Sequence, residues 1–146
     1  FFPPRFFDEF VIRYDSQLVK LIHEYGHLVR MHSHGKVGNF LEKFADIGID
    51  ALDPLEPPPM GDITLSEARR RVGDRICLIG GIEFGEIEEL ATPEEIDRLE
   101  NDAISGALPA SYILEPTATP IKSPLNPKTL NNLIQFVKSG KRYGKL

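Results

Sequence analysis

Two histidines separated by one residue, His32 and His34, are the side chains of this sequence best suited to chemistry. They follow a mainly apolar segment at residues 28–31 and precede Gly35, a pattern that predicts a buried strand closed by a glycine turn. If the strand extends to His34, both imidazoles project to the same side. Such a pair is suited to binding a divalent metal or a substrate. Hydrogen bonding to neighbouring residues is the alternative role.

Three glutamates stand where later strands are predicted to end. Glu56 follows the second strand, Glu83 the third and Glu115 the fourth. Because parallel strands place their carboxyl ends at one edge, we expect these side chains to approach the histidines. Glu56 and Glu83 are predicted to serve as acid–base catalytic groups, and Glu115 as the third metal ligand beside His32 and His34. For each carboxylate alone, simple solvation is the alternative.

A second histidine pair, His23 and His27, has the His-Glu-x-x-His spacing of zinc peptidases. That motif requires both histidines on one face of a continuous helix. Here Gly26 interrupts the motif, strand residues follow His27, and His23 belongs to the polar side of its helix. We therefore interpret this pair as a solvated helix end.

The order helix, glycine, strand, loop occurs four times along the chain, followed by one more helix. Such alternation predicts an α/β fold with four parallel strands and helical crossovers, either a small open sheet or half of a (β/α)8 barrel. The final helix favours the second half of a barrel, whose two sheet edges would be covered by the remainder of the barrel or by an oligomer partner. The first helix shows one apolar stripe. Helices are predicted at residues 5–25, 39–47, 64–72, 92–104 and 128–137, and strands at 28–34, 49–52, 75–79 and 112–114.

Composition narrows the class of protein. The 146 residues are 41% hydrophobic and 27% charged, which is typical of a globular domain, and the net charge of −5 argues against nucleic acid or an anionic membrane as a partner. The single cysteine, Cys77, excludes an internal disulfide, so a cytoplasmic location is expected. No apolar run approaches the ~18 residues of a membrane span.

The order of several segments resembles the C-terminal half of the uroporphyrinogen decarboxylase (URO-D) superfamily, which includes cobalamin-dependent methyltransferases. The resemblance implies a (β/α)8 TIM barrel, with residues 1–146 as a single unit from its second half. The segments that carry it are residues 6–11, 32–35, 47–52, 72–76, 80–82 and 112–114.

The methyltransferase branch of this superfamily binds zinc through a His-x-Cys motif and a later cysteine. In this sequence His32 matches the motif histidine, His34 stands at the first cysteine and Ala118 near the second. The decarboxylases use no metal and carry a histidine near the position of Ala118. The retained His-x-His favours a metal-using relative.

The resemblance implies three functions. The first is a zinc-dependent methyltransferase acting with a corrinoid or a thiol acceptor. The second is metal-free decarboxylation of uroporphyrinogen or a similar tetrapyrrole. The third is a non-catalytic barrel that binds a tetrapyrrole or corrinoid. In each case the partner is a small molecule.

Overall fold

The computed structural model describes residues 3–120 and 123–144. Four strands alternate with helices, as predicted. The strands are β1 (Arg30–His32), β2 (Ala51–Leu55), β3 (Cys77–Ile82) and β4 (Tyr112–Pro116). The α-helices are α1 (Pro4–Phe7), α2 (Arg13–Glu24), α3 (Leu41–Asp46), α4 (Leu65–Val72), α5 (Pro93–Ala107) and α6 (Pro127–Tyr143). Two π-helical segments (Asp8–Ile12 and Glu86–Leu90) and one 3-10 segment (Gly38–Phe40) complete them.

The four strands form one sheet in the order β1-β2-β3-β4. All three neighbouring pairs are parallel, which confirms the predicted alternation of strands and crossovers. The register pairs His32 with Asp53 and Gly81 with Glu115, so the carboxyl ends of the strands lie along one edge. This edge, called the rim below, holds the candidate site.

The helices cover one face of the sheet, and the opposite face carries polar groups. Leu52 and Leu78 are fully buried between sheet and helices, together with Leu41 and Phe44 of α3. In β1 the alternation places Met31 against this core, whereas Arg30 and His32 point to the other face. In β1 the polar face therefore carries Arg30 and His32.

The helix starts agree with the sequence predictions because their caps are local. Thr64 accepts a hydrogen bond from the Glu67 amide at the start of α4. Thr92 and Glu95 form a complete capping box at the start of α5. At the start of α6 the Asn126 side chain accepts a hydrogen bond from the Thr129 amide.

Several predicted ends are wrong. β1 stops at His32 instead of reaching His34, β2 continues through Pro54, and β4 includes Glu115. β3 runs through Gly80 and Gly81, which were expected to end it. These glycines permit close packing: a Cβ on Gly80 would lie 2.9 Å from the Leu55 backbone nitrogen. α6 extends to Tyr143, beyond its predicted end.

The first helix also differs from its prediction. A π-helical turn at Asp8–Ile12 separates α1 from α2 and changes the helical phase. The predicted apolar stripe is consequently not a core face, because Phe10, Tyr14 and Leu18 are more than half exposed and Val19 is buried instead. Within the described residues, none of the helices is long and apolar enough to cross a membrane.

Candidate metal and catalytic site

The first half of the site joins His32 to a buried carboxylate. His32 Nδ1 lies 2.8 Å from Oδ2 of Asp53, its partner in the β1–β2 register. Arg30 lies on the same side of the strand and donates from Nε to that oxygen at 2.9 Å. Asp53 is 3% exposed. Hydrogen bonding to Asp53 raises the pKa of Arg30, so the guanidinium stays charged and balances the buried carboxylate.

The second half repeats this arrangement one step along the rim. His34 Nδ1 lies 2.9 Å from Glu56 Oε1, and the Gly35 amide donates to Glu56 Oε2. Glu56 follows β2 directly and is 6% exposed. Gly35 adopts φ +82, the left-handed conformation that glycine tolerates. Gly61 packs so closely on Glu56 that a Cβ there would lie 1.8 Å from the Glu56 carbonyl oxygen, so the loop fixes this carboxylate.

The two imidazoles lie side by side although His34 is outside the strand. Their ring centroids are 4.8 Å apart with an interplanar angle of 77°. In both rings Nδ1 faces a carboxyl group. An ionised carboxylate only accepts hydrogen bonds, so it selects the tautomer with N–H at Nδ1 and the free lone pair at Nε2. Metal-binding histidines have this arrangement, with a carboxylate on the far nitrogen.

Glu83 lies just beyond β3 with one carboxyl oxygen buried. Its Oε2 has no hydrogen-bond partner among the residues that the structure describes. Burial, and next the nearby charge of Glu56, raise the pKa of Glu83, against opposing hydrogen bonds from the Gly85 backbone and the Thr117 side chain. Thr117 also accepts from the Phe84 amide at 3.0 Å, which links the loops after β3 and β4. Glu83 can therefore hold a proton closer to neutral pH than an ordinary glutamate.

Glu115 is placed beside Arg30 rather than beside the histidines. Arg30 Nη2 lies 3.4 Å from Glu115 Oε2. In the part of the chain that the structure describes, no group of three His, Cys, Asp or Glu side chains is arranged to hold a metal ion. The structure thus brings His32, His34, Asp53 and Glu56 together, whereas Glu115 pairs with the guanidinium of Arg30.

The described residues meet two requirements of a zinc site but do not supply a third ligand. Both imidazoles are oriented by buried carboxylates, and the described rim residues include four carboxyl groups (Asp53, Glu56, Glu83 and Glu115) against one guanidinium, Arg30. This excess of acidic groups favours a cation. The third ligand that a zinc site requires would have to come from a rearranged rim carboxylate or from another segment.

His23 and His27 are separated from this site, as the sequence predicted. α2 ends at Glu24, so His27 lies beyond the helix. His23 is not simply solvated, however, because its Nε2 lies 2.8 Å from Asp50 Oδ2. Asp50 also accepts from the Val29 amide at 2.7 Å. Asp50 thus links α2 to the residues just before β1 and β2.

Sequence reasoning missed Arg30 and Asp53. Arg30 lies two residues before His32, the spacing that places both on the same side of a strand. In the sequence, however, it is a single polar residue within an apolar strand. Asp53 was expected to lie after its strand, and only the register between β1 and β2 shows that it faces His32. The sequence signal that could have identified Asp53 was the presence of an acidic residue shortly before Glu56.

Fold and rim together define a parallel β/α unit with an acidic, histidine-containing edge at its strand ends. A model of the uroporphyrinogen decarboxylase (URO-D) family matches residues 1–140, and the chain belongs to this family. A methyltransferase from Methanosarcina mazei has a similar fold, with a TM-score of 0.72 and 18% sequence identity over 98% of this chain. None of the curated proteins matches the sequence.

The structural match confirms the predicted four-stranded part of a (β/α)8 barrel. The chain spans 38% of the length of the methyltransferase from Methanosarcina mazei. At 18% identity, the likeness shows the fold.

Proposed function

We propose that this chain carries the metal-binding rim of a zinc-dependent methyltransferase of the URO-D superfamily, acting with a corrinoid or a thiol acceptor. The observation that supports this best is the pairing of both Nδ1 atoms with buried carboxylates, Asp53 and Glu56. That pairing leaves the Nε2 atoms of His32 and His34 as ligands. The acidic rim would favour a divalent cation.

His32 and His34 would hold the zinc ion through Nε2, and Glu56, on Nδ1 of His34, would keep that imidazole oriented. Glu115, the expected third ligand, would have to release Arg30 to join them. Asp53 would keep His32 oriented, and Arg30 would balance the charge of Asp53. Each role follows from a contact within the chain.

The reaction would need an acid–base group beside the ligands. Zinc, when bound, lowers the pKa of a thiol and so supplies a thiolate at neutral pH. Glu83 is the proposed acceptor of the thiol proton, because burial and the charge of Glu56 raise its pKa. Glu56 would help to hold that proton on Glu83 through its negative charge.

Methyl transfer from methylcobalamin to a thiol tests this proposal. We expect the complete protein chain to transfer the methyl group, to lose activity after chelation and to regain it with zinc. His34→Ala should abolish the activity, and Glu83→Gln should lower it. Methyl transfer that survives both chelation and His34→Ala would contradict the proposal.

Metal-free decarboxylation of a tetrapyrrole is the second candidate, favoured by the description of the matching family as uroporphyrinogen decarboxylase. In that case Glu83 would donate its proton during loss of carbon dioxide. Carbon dioxide release from uroporphyrinogen by the chelated protein would support this function over methyl transfer. Tetrapyrrole binding without either reaction would support a non-catalytic barrel.

A further inference from the structure

Thr117, the residue that follows β4, is hydrogen-bonded to both chain neighbours of Glu83. Its amide donates to the Ile82 carbonyl oxygen at 2.9 Å. Its Oγ1 accepts a hydrogen bond from the Phe84 amide at 3.0 Å. Ile82 and Phe84 are the residues directly before and after Glu83. Thr117 therefore holds the backbone on either side of the proposed acid–base group.

The two bonds depend on different parts of Thr117. Ile82 is the last residue of β3 and pairs with Pro116 of β4, so the Thr117 amide extends the ladder between these strands by one bond. That bond uses backbone atoms and stays the same for any side chain other than proline. The bond from the Phe84 amide requires the hydroxyl oxygen. A substitution at Thr117 can therefore remove the contacts of the hydroxyl while the sheet contact remains.

The hydroxyl of Thr117 also acts on the Glu83 carboxyl. A threonine hydroxyl has one hydrogen to donate and two lone pairs that accept. Burial, and next the charge of Glu56, raise the pKa of Glu83, whereas hydrogen bonds from the Gly85 backbone and the Thr117 side chain lower it. Thr117 is 4% exposed, so its hydroxyl is largely shielded from water. Accepting from the Phe84 amide leaves the hydroxyl hydrogen for the Glu83 carboxyl.

The charged groups around Glu83 make this donor important. Glu56 faces it from the loop after β2 and Glu86 from its own loop, and both charges raise the pKa of Glu83. From the side of β1, His34 is bonded to Glu56, and on β4 Glu115 pairs with a guanidinium. The acidic neighbours favour the protonated form of Glu83, so a hydrogen-bond donor is needed to stabilise its ionised form.

We propose that Thr117 is the positioning residue of Glu83, fixing the backbone on both sides of it and donating the hydroxyl hydrogen to its carboxyl. This inference rests on the proposed acid–base role of Glu83, whether in methyl transfer or in decarboxylation, and uses no metal ligand. The hydrogen bond is stronger when Glu83 is ionised. Glu83 can then release its proton as well as hold it, as an acid–base group must.

The variants Thr117→Ser and Thr117→Ala isolate the hydroxyl, because both lose the methyl group and only serine keeps the oxygen. The complete protein chain, labelled with carbon-13 at the glutamate carboxyl groups, is titrated by NMR, and the Glu83 resonance is the one missing from Glu83→Gln. Thr117→Ala should bind the Glu83 proton at least about threefold more tightly than Thr117→Ser, because the ionised form loses a hydrogen bond. Thr117→Ser should titrate like the wild type.

Thr117→Val repeats the test without leaving a cavity, and it should behave as Thr117→Ala does. Unchanged or weaker binding of the Glu83 proton in Thr117→Ala and Thr117→Val would overturn the proposal. Thr92→Val is the matched control for lost stability, because it removes the hydroxyl that caps α5. Its Glu83 titration should equal that of the wild type. A shift as large as that of Thr117→Ala would show that any loss of stability moves this group, and would overturn the proposal.

The pH dependence of methyl transfer separates this inference from the proposed function. Because Glu83 accepts a proton only when it is ionised, the acidic limb of the rate profile should move to higher pH in Thr117→Ala and stay in place in Thr117→Ser. A wild type without methyl transfer or decarboxylation would contradict the proposed function. The NMR titration, which needs no turnover, would then still decide whether Thr117 positions Glu83.

Discussion

Arg30 and Glu115 lie on the two outermost strands of the sheet, yet Arg30 Nη2 is 3.4 Å from Glu115 Oε2. This contact links β1 to the carboxyl-terminal part of β4 across the sheet. It also means that Glu115 neutralises a cation in the structure, whereas Glu56 contacts a histidine. The two glutamates therefore have different expected roles.

Glu115→Gln should change zinc affinity by no more than about threefold, because a partly exposed ion pair contributes little. Glu56→Gln should lower zinc affinity by at least about tenfold, since it removes the charge beside His34. Competition with a colorimetric chelator measures both affinities. A larger loss for Glu115→Gln than for Glu56→Gln would assign the third ligand to Glu115.

Asp53→Asn should weaken zinc binding by about 10- to 100-fold, because His32 loses the anion that selects its tautomer. The matched control is Asp46→Asn, since Asp46 also pairs with an arginine, Arg75, but lies exposed on α3. Isothermal titration with zinc measures both variants. An unchanged affinity for Asp53→Asn would show that Asp53 does not orient His32.

Gly61→Ala should displace Glu56, because the new Cβ would overlap the Glu56 carbonyl oxygen. We expect a loss of stability of about 1–3 kcal/mol and weaker zinc binding. Gly85→Ala serves as the control, since a Cβ there meets no atom within 4 Å. Urea unfolding and zinc titration of both variants test this, and equal behaviour would contradict the role of Gly61.

Glu100 predicts a pH dependence of stability away from the rim. It is fully buried on α5, neither carboxyl oxygen has a partner within residues 3–120 and 123–144, and burial, assisted by Asp97, raises its pKa to about 8. From about pH 4.5 to pH 8 the folded chain keeps this proton while the unfolded chain loses it. Stability therefore falls as pH rises through this window and levels off above it.

Glu100→Gln should remove this contribution. One pKa unit corresponds to about 1.4 kcal/mol. The free energy of unfolding of the variant, relative to that of the wild type, should therefore rise by roughly 4 kcal/mol from pH 4.5 to pH 9. Urea unfolding at both pH values measures the difference, in which the contributions of other groups cancel. A difference that does not grow with pH would contradict the account of Glu100.

Local chemistry makes part of the fold predictable from sequence. Thr92 and Glu95 specify the start of α5 by themselves, and the alternation of helices and strands specifies a parallel sheet. The positions where strands end depend on contacts with the neighbouring strands of the sheet. Gly80 looks like a stop in the sequence but lets β3 pack against Leu55, so its meaning appears only when the two strands are paired.

The same distinction applies to the site. His32 and His34 lie close together, but His34 is outside the strand, so the strand spacing that predicted their closeness does not by itself explain it. The partners of these histidines come from β2 and its following loop, so they depend on register and loop packing. Arg30 contacts Glu115 from the opposite outermost strand, a relationship that no local sequence pattern records.

Zinc content is the most direct test of the central claim that His32 and His34 form a metal site. The complete chain, purified and dialysed against a weak chelator, should retain or rebind one zinc ion per chain. His32→Ala and His34→Ala should each lower the affinity at least about 100-fold, while His27→Ala, outside the rim, should leave it unchanged. A wild type that binds no zinc, or binds it as tightly as His34→Ala does, would contradict the account.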